Sequence, residues 1–387
     1  MERGAIGRYE VCVTGDERVN AFIPDPLPPD PELELDGRLL QSMEAASFAL
    51  GGLNTIAMLI PDKSLFIYSY VRKEAVLSSQ IEGSRSSLAD LLLSELDEAP
   101  GVPVDDITEV SNYVAALEHG LERMRGGFPL SNRLIREMHG ILLSSGRGSR
   151  LHPGEFRTSQ NWIGGQRPGD ADFVPPPPHT VPGCMGDLEE FIHATDDGMP
   201  SLLRAGLAHL QFETIHPFLD GNGRVGRLLI TLMLYQAGVL QEPVLYLSLY
   251  FKQRRSVYFQ MLDWVRRTGD WERWLAFFLD GVRETAEGAI ATSQQLSDLF
   301  AYHRSRIQQS GRRANSGLRV HEALTLRPIL SLPDVRRHTG LSFPGASSGM
   351  DLLVEMGIAQ EFTDRSRNRL FVYDEYLSIL SEGTEPL

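Results

Sequence analysis

Residues 200–238 constrain the fold more than any other stretch. Apolar residues recur at helical spacing over 200–214 and again over 223–237, and only a short run around His216-Pro-Phe-Leu-Asp-Gly-Asn-Gly223 separates the two patterns. Two helices must therefore meet at one loop built from small residues, with Gly238 closing the second. Helix dominates elsewhere too. Periodicity predicts helices over 38–60, 64–82, 106–124, 132–145 (after Ser131), 184–195, 249–267 and 271 to roughly 309. Ser87-Leu-Ala-Asp90 has the capping pattern of a helix start and places another over Leu88–Leu96. Between 151 and 183 the pattern breaks, and Asn161-Trp-Ile-Gly-Gly165 with Ala171-Asp-Phe-Val-Pro175 predicts two short strands joined by a Gly/Pro/Asp turn. Five prolines within 22–37 predict an extended arm lying on the body or on a neighbour. From 313 the character changes again, with helical pieces at 318–326, 332–338 and 344–356 and a polar turn, Thr363–Asn368, inside an apolar alternation.

Composition narrows the function classes. At 387 residues and 42% apolar side chains the chain can form two or three domains, one with a sizeable core. A formal charge of −14 repels polyanions at long range, so any contact with nucleic acid must be local. The two cysteines, Cys12 and Cys184, are too few for a disulfide framework or a thiolate metal cage, as in a reducing compartment. The first ten residues lack the apolar core of a secretory signal, and the best apolar run, Leu228–Tyr235, is far shorter than the ~20 residues a membrane span needs. The expectation is a cytoplasmic protein with no membrane segment.

The loop between the two helices carries chemistry. The first N–H groups of a helix lack internal partners and bear a partial positive charge, so Gly221, Asn222 and Gly223 can offer backbone donors to phosphate. Arg224 and Arg227, three apart in the first turn, can both reach a polyphosphate as forked donors. A carboxylate beside phosphates repels them unless a cation lies between, which makes Asp220 a candidate Mg²⁺ ligand. His216 is the group able to take a proton from an incoming hydroxyl near neutral pH.

His216-Pro-Phe-x-Asp220-Gly-Asn-Gly-Arg-x-x-Arg227 resembles the signature of Fic-family proteins at every position. The resemblance implies an all-α, Fic-type helical core with a small β-hairpin flap, and transfer of AMP from ATP to a Ser, Thr or Tyr hydroxyl of a protein. It makes His216 the general base and Asp220 the Mg²⁺ holder. The Gly221–Gly223 backbone with Asn222 then takes the α- and β-phosphates, and Arg224 with Arg227 the outer ones. Phosphate-transferring relatives of the Doc type have Lys where Gly223 stands, so Gly223 points to AMP transfer. Gly154-Glu-Phe-Arg157 and Asn161–Gly165 resemble the flap that pairs with the target's backbone, with Ile163 packing on the nucleotide. Tyr258 falls where the family places a residue beside adenine, although Phe259 stands where a second tyrosine is common.

Ser78-Ser-Gln-Ile-Glu82-Gly83 resembles the family's inhibitory helix. Glu82, at the nucleotide site, would pair with Arg227 and deny it to the γ-phosphate, and Gly83 would end the helix as a left-handed cap. In some relatives this glutamate directs a water for AMP removal, so it would serve both directions. Residues 318–372 resemble a winged helix. That allows a second reading, a DNA-binding regulator, but residues 311–372 carry nine arginines against six acids, a net +3, and the helix that would enter the groove has Asp351 and Glu355 and no basic residue. A protein-docking or homodimer role is preferred. The division expected is 1–105, 106–310 and 311–387, with self-modification among the activities and with 313–387 dispensable for transfer itself.

Overall fold

The computed structural model describes residues 1–59, 63–96, 104–194, 197–362 and 369–386. Two antiparallel strands open the chain, β1 (Gly7–Thr14) and β2 (Glu17–Pro24). Helices α1 (Gly37–Leu59), α2 (Lys63–Ile81), α3 (Leu88–Ser94), α4 (Val104–Arg125) and α5 (Asn132–Leu142) follow. After the irregular stretch come α6 (Val181–His193), α7 (Ser201–Ile215), α8 (Asn222–Gln236), α9 (Ser248–Gln253), α10 (Arg255–Thr268) and α11 (Trp271–Gln308). The last part holds α12 (Ala314–Leu326), β3 (Ile329–Ser331), α13 (Leu332–Thr339), α14 (Phe343–Glu355), β4 (Gln360–Glu361), β5 (Leu370–Val372) and α15 (Asp374–Ser381), with the strands in antiparallel order β3-β5-β4. The molecule is mostly helical.

Local chemistry sets several boundaries. Ser87 and Asp90 form a reciprocal capping box at the start of α3, and Ser331 with Asp334 forms another at α13. Helix α7 is buried at every position from Leu202 to Ile215, as expected of a helix wrapped by others on all sides. It packs along α8 at the centre of the molecule.

Three expectations are corrected. The hairpin β1–β2 was not anticipated, and residues 22–24 belong to β2 rather than to the proline arm. Tyr9, Val11 and Val13 stay exposed on one face, so the alternation of β1 does not mark a core face. The remainder of the arm lies on the chain's own body, where Gln211 donates to the Asp25 carbonyl (2.8 Å) and the Glu34 amide to Glu272 (2.8 Å). The hairpin of 161–175 reduces to a single backbone exchange between Ile163 and Phe173, because Pro168–Asp170 turn as a 3₁₀ helix and Pro175–Pro178 have no N–H for a ladder. The helix foreseen over 249–267 breaks at Arg254, which turns its guanidinium to Glu284 (2.9 Å) while Arg255 reaches the Ile81 carbonyl (2.9 Å). Residues 374–381 form α15, which packs against α2, α3 and α11.

Candidate active site

Helix α7 ends at His216, which sits in the left-handed region (φ 49°, ψ 60°) and closes the helix by donating its N–H to the Phe212 carbonyl (2.9 Å). This conformation is unfavourable for a side-chain-bearing residue, so the surroundings must impose it. Arg157 does so: its Nε donates to the His216 carbonyl (2.9 Å), and Nη2 reaches the carbonyls of Pro176 (2.5 Å) and Ile215 (3.4 Å). One buried guanidinium thus ties the loop to the base of the 161–175 segment. Burial pushes the His216 imidazole down to about 3, helped by the charges of Arg266 and Arg157, so it is neutral and able to accept a proton.

The rest of the loop is folded on itself. Asn222 receives the Phe218 amide on Oδ1 (2.8 Å) and donates Nδ2 to the Phe218 carbonyl (2.8 Å), and its side chain is buried. His139 stacks flat on Phe218 (3.7 Å, 6°). Its Nδ1 accepts from the Gly154 amide (2.8 Å), which leaves Nε2 to donate to the Asp220 carbonyl (3.0 Å). Gly221, at φ 79°, caps α8. The backbone N–H groups of the first turn of α8 have no partner within the helix, whereas the Asn222 side chain is committed to the loop.

Two arginines leave the start of α8, and both are met by acids. Arg227, 2% exposed, donates Nε to the Ser78 hydroxyl (2.8 Å) and Nη2 to the Ser78 carbonyl (3.0 Å) and to Glu82 Oε1 (2.8 Å). Burial alone would raise the Glu82 carboxyl, but the charge and hydrogen bond of Arg227 hold it below the usual range. Glu82 follows the last residue of α2. There Gly83 (φ 98°) donates to the Gln80 carbonyl and Ser84 to the Ser79 carbonyl, the paired bonds of a Schellman ending. Arg224, 1% exposed, lies 3.4 Å from Glu109 and 3.6 Å from Asp220, while its Nε and Nη2 find no hydrogen-bond partner among the described residues. Buried donors of this kind are costly to leave unfilled.

Asp220 is half-buried. Its Oδ1 accepts from the Gly221 amide (2.7 Å), and Oδ2 lies 3.7 Å from Arg147. Among the described residues no three His, Cys, Asp or Glu side chains gather into a metal cage. A single carboxylate next to an anion cradle suits a hard cation that shares its remaining ligands with phosphates and water.

Gly223 has a second constraint. A Cβ there would come 2.2 Å from Glu82 Oε1, so a side chain at 223 would shift the Glu82 carboxylate from its present position.

Ile163 lies half-buried in the segment that faces the loop. This segment is braced by a Phe22 N–H to Val174 carbonyl bond (2.9 Å), by Arg167–Glu17 (2.9 Å) and by Arg266 over the Phe173 ring (4.0 Å). Tyr258 is placed differently from the expectation of an adenine contact. It is 1% exposed with its ring stacked on Phe251 (4.5 Å, 18°), and it offers no open face to a base. His209 donates Nδ1 to the Gly226 carbonyl (2.9 Å), so Nε2 accepts from the Tyr258 hydroxyl (2.9 Å), and that hydroxyl also lies against Arg227. Tyr258 therefore supports the arginine from below. Sequence reasoning did not single out Glu109, His139 or Arg147. Arg157 was visible only as the end of Gly154-Glu-Phe-Arg157.

A helical core that sets a neutral histidine one loop before a helix start, with a carboxylate across the arginine of that helix, brings anion donors and a proton acceptor together. Residues 40–122 match the Fic/DOC family N-terminal description and residues 129–234 the Fic/DOC family itself, so the chain carries the Fic N-terminal and Fic domains of the Fic/DOC family. It is 28% identical over 259 residues to the protein adenylyltransferase Fic of Drosophila willistoni, covering 65% of this chain and 48% of that protein. With the Drosophila melanogaster protein of the same name it shares 27% over 261 residues, again 65% and 48%. The chain thus spans about half the length of the curated relatives it matches. Its fold is similar to that of a Fic family protein from Desulfovibrio desulfuricans (TM-score 0.58, 20% identity, 88% of this chain and 97% of that one). It is also similar to a Fic domain containing signaling protein from Bacteroides thetaiotaomicron (TM-score 0.50, 19% identity, 64% and 95%).

Proposed function

We propose that this chain moves AMP from ATP onto a Ser, Thr or Tyr hydroxyl of a protein, itself included, and that Glu82 restrains the reaction. The Glu82–Arg227 pair carries this reading: a buried arginine at an anion-binding helix start is held by a carboxylate that must leave before a triphosphate can use it. His216 Nε2 takes the proton of the target hydroxyl as that oxygen bonds to the α-phosphorus. The bond from this phosphorus to the bridging oxygen breaks, and pyrophosphate leaves. The N–H groups of Asn222 and Gly223, joined by that of Gly221 once it leaves Asp220 Oδ1, hold the α- and β-phosphates, the unfilled donors of Arg224 and the fork of Arg227 hold the outer ones, and Ile163 packs on the nucleotide. Mg²⁺, held by Asp220, would neutralise phosphate charge. Gly223 supports AMP rather than phosphate as the group moved, since a lysine there would push the Glu82 carboxylate out of its present place beside Arg227.

The test uses the Glu82→Gly form in a cytoplasmic extract with ATP labelled on the α- or on the γ-phosphate. Protein bands labelled from the α-position only are expected; labelling from the γ-position only means phosphorylation, and no labelling removes the reading. Asp220→Ala should lose metal-dependent transfer and bind ATP–Mg²⁺ at least about tenfold more weakly, measured by calorimetry. Equal turnover at ordinary Mg²⁺ refutes its ligand role.

The tail is read as a winged-helix-like protein-docking or dimer module. Of its arginines, Arg313 pairs with Glu355 (2.6 Å), Arg369 with Glu361 (2.6 Å) and Arg337 with Asp334 (3.2 Å), which takes these three out of any phosphate contact. Arg365 and Arg367 lie outside the described residues. A shift assay with random duplex DNA at physiological salt should show no binding at micromolar protein. Nanomolar, sequence-selective binding promotes the regulator reading instead.

A further inference from the structure

The last residues of the chain seat themselves beside the end of α2. Gln80, two residues before Glu82 and 1% exposed, donates its amide to the Thr384 carbonyl (2.7 Å) and the Ser86 carbonyl (2.8 Å). Lys252 on α9 donates to the Gly383 carbonyl (2.9 Å) and to the Glu385 carbonyl. Thr384 is 1% exposed, and Gly383, at φ 80°, lies so close to Leu249 that a Cβ would meet it at 2.6 Å. Lys73, on α2 itself and buried over the Tyr246 ring (4.9 Å), is desolvated toward about 8 and feels the charges of Glu382 and Glu385. One turn earlier on α2, Ser69 meets the Tyr376 hydroxyl of α15 (3.4 Å).

We propose that Glu382–Glu385 position the last turn of α2 through Gln80 and Lys252, so that the C-terminal module controls how firmly Glu82 holds Arg227. This rests on the AMP-transfer reading above. Gln80 satisfies a carbonyl of the segment from inside the turn that carries Ser78 and Glu82. Withdrawing the segment leaves that turn with one wall missing and the buried Gln80 amide short of an acceptor. The ending then frays, and Glu82 spends more time away from Arg227. A partner that pulls on the module would release the restraint without touching the phosphate cradle.

The experiment compares the full chain, a chain ending at Ser381 and Lys252→Met, each with Glu82 and with Glu82→Gly. It reads AMP incorporation and amide hydrogen exchange over residues 76–84. With Glu82 present, truncation and Lys252→Met should each raise transfer about threefold or more and quicken exchange at Glu82–Ser84 by about tenfold, the scale of one or two lost hydrogen bonds. In the Glu82→Gly background neither change should alter the rate by more than about twofold, which a general loosening of the enzyme would not reproduce. Unchanged exchange overturns the proposal whatever the activity. Faster exchange with an unchanged rate, when Glu82→Gly itself is active, also overturns it. Faster exchange in a protein that Glu82→Gly cannot activate leaves the positioning role standing and removes the AMP-transfer reading.

Discussion

His216→Ala is expected to abolish AMP transfer, by at least about a hundredfold, while ATP binding stays within about threefold of wild type. The imidazole is neutral and sits on the loop that leads into the helix start. The donors for phosphate are backbone N–H groups of α8 and the two arginines, none of which the substitution touches. The loop itself is fixed by other residues, with Asn222 on Phe218, His139 on Asp220 and Arg157 on the residue-216 carbonyl. Alanine at φ 49° strains the backbone by ~1 kcal/mol, so His216→Asn, which tolerates the left-handed region better, is the paired control. Both should be inactive, with the asparagine form melting closer to wild type. A retained tenth of the wild-type rate in either would show that another group takes the proton. Since burial depresses the imidazole, an NMR titration of His216 in the free protein should show no protonation as pH falls to 5.

Glu82→Gly should raise transfer, self-modification included, by at least tenfold. A charge-assisted pair of this kind contributes about 1.5–3 kcal/mol, which corresponds to roughly tenfold to hundredfold in the fraction of molecules able to receive a γ-phosphate. Removing the carboxylate leaves Arg227 still held by Ser78 through Nε and supported by the Tyr258 hydroxyl, so the guanidinium remains aimed at the site. Arg227→Ala should be inactive with or without Glu82. A double variant as active as Glu82→Gly alone would mean that the glutamate acts on something other than Arg227. The measurement is incorporation of α-labelled AMP at fixed ATP and Mg²⁺, with the apparent KM for ATP falling in Glu82→Gly.

The site was legible where its residues are contiguous or separated by a helical turn. His216–Arg227 declares a loop and a helix start through its own spacing, and Ser78 with Glu82, four apart, implies one helix face. Partnership across the chain was not legible. Glu109 meets Arg224 across 115 positions, and nothing in the pattern of α4 separates that glutamate from a solvated one. Tyr258 was misplaced because helical spacing gives a residue's face and not the depth to which neighbours cover it; Phe251 covers the ring. The strand β1 escaped notice because its alternating apolar side chains face outward. Local turn chemistry, by contrast, was read correctly at Ser87–Asp90, where the cap is made by groups three residues apart.

Helix α11 has 38 residues, and one continuous buried cluster runs along it into the tail. Trp274, Leu275 and Phe278 pack against α7 around Gly206, whereas Phe300 stacks edge-on to Tyr376 (5.0 Å) and His303 meets the Tyr373 hydroxyl (2.6 Å). No slack tether lies between the modules, so the tail cannot be treated as an interchangeable cassette. A chimera joined near residue 310 would inherit half of a ring cluster with nothing to close it. A graft would have to bring along residues matching His321, Tyr373 and Tyr376, so the tail and the helix beneath it can be exchanged only together.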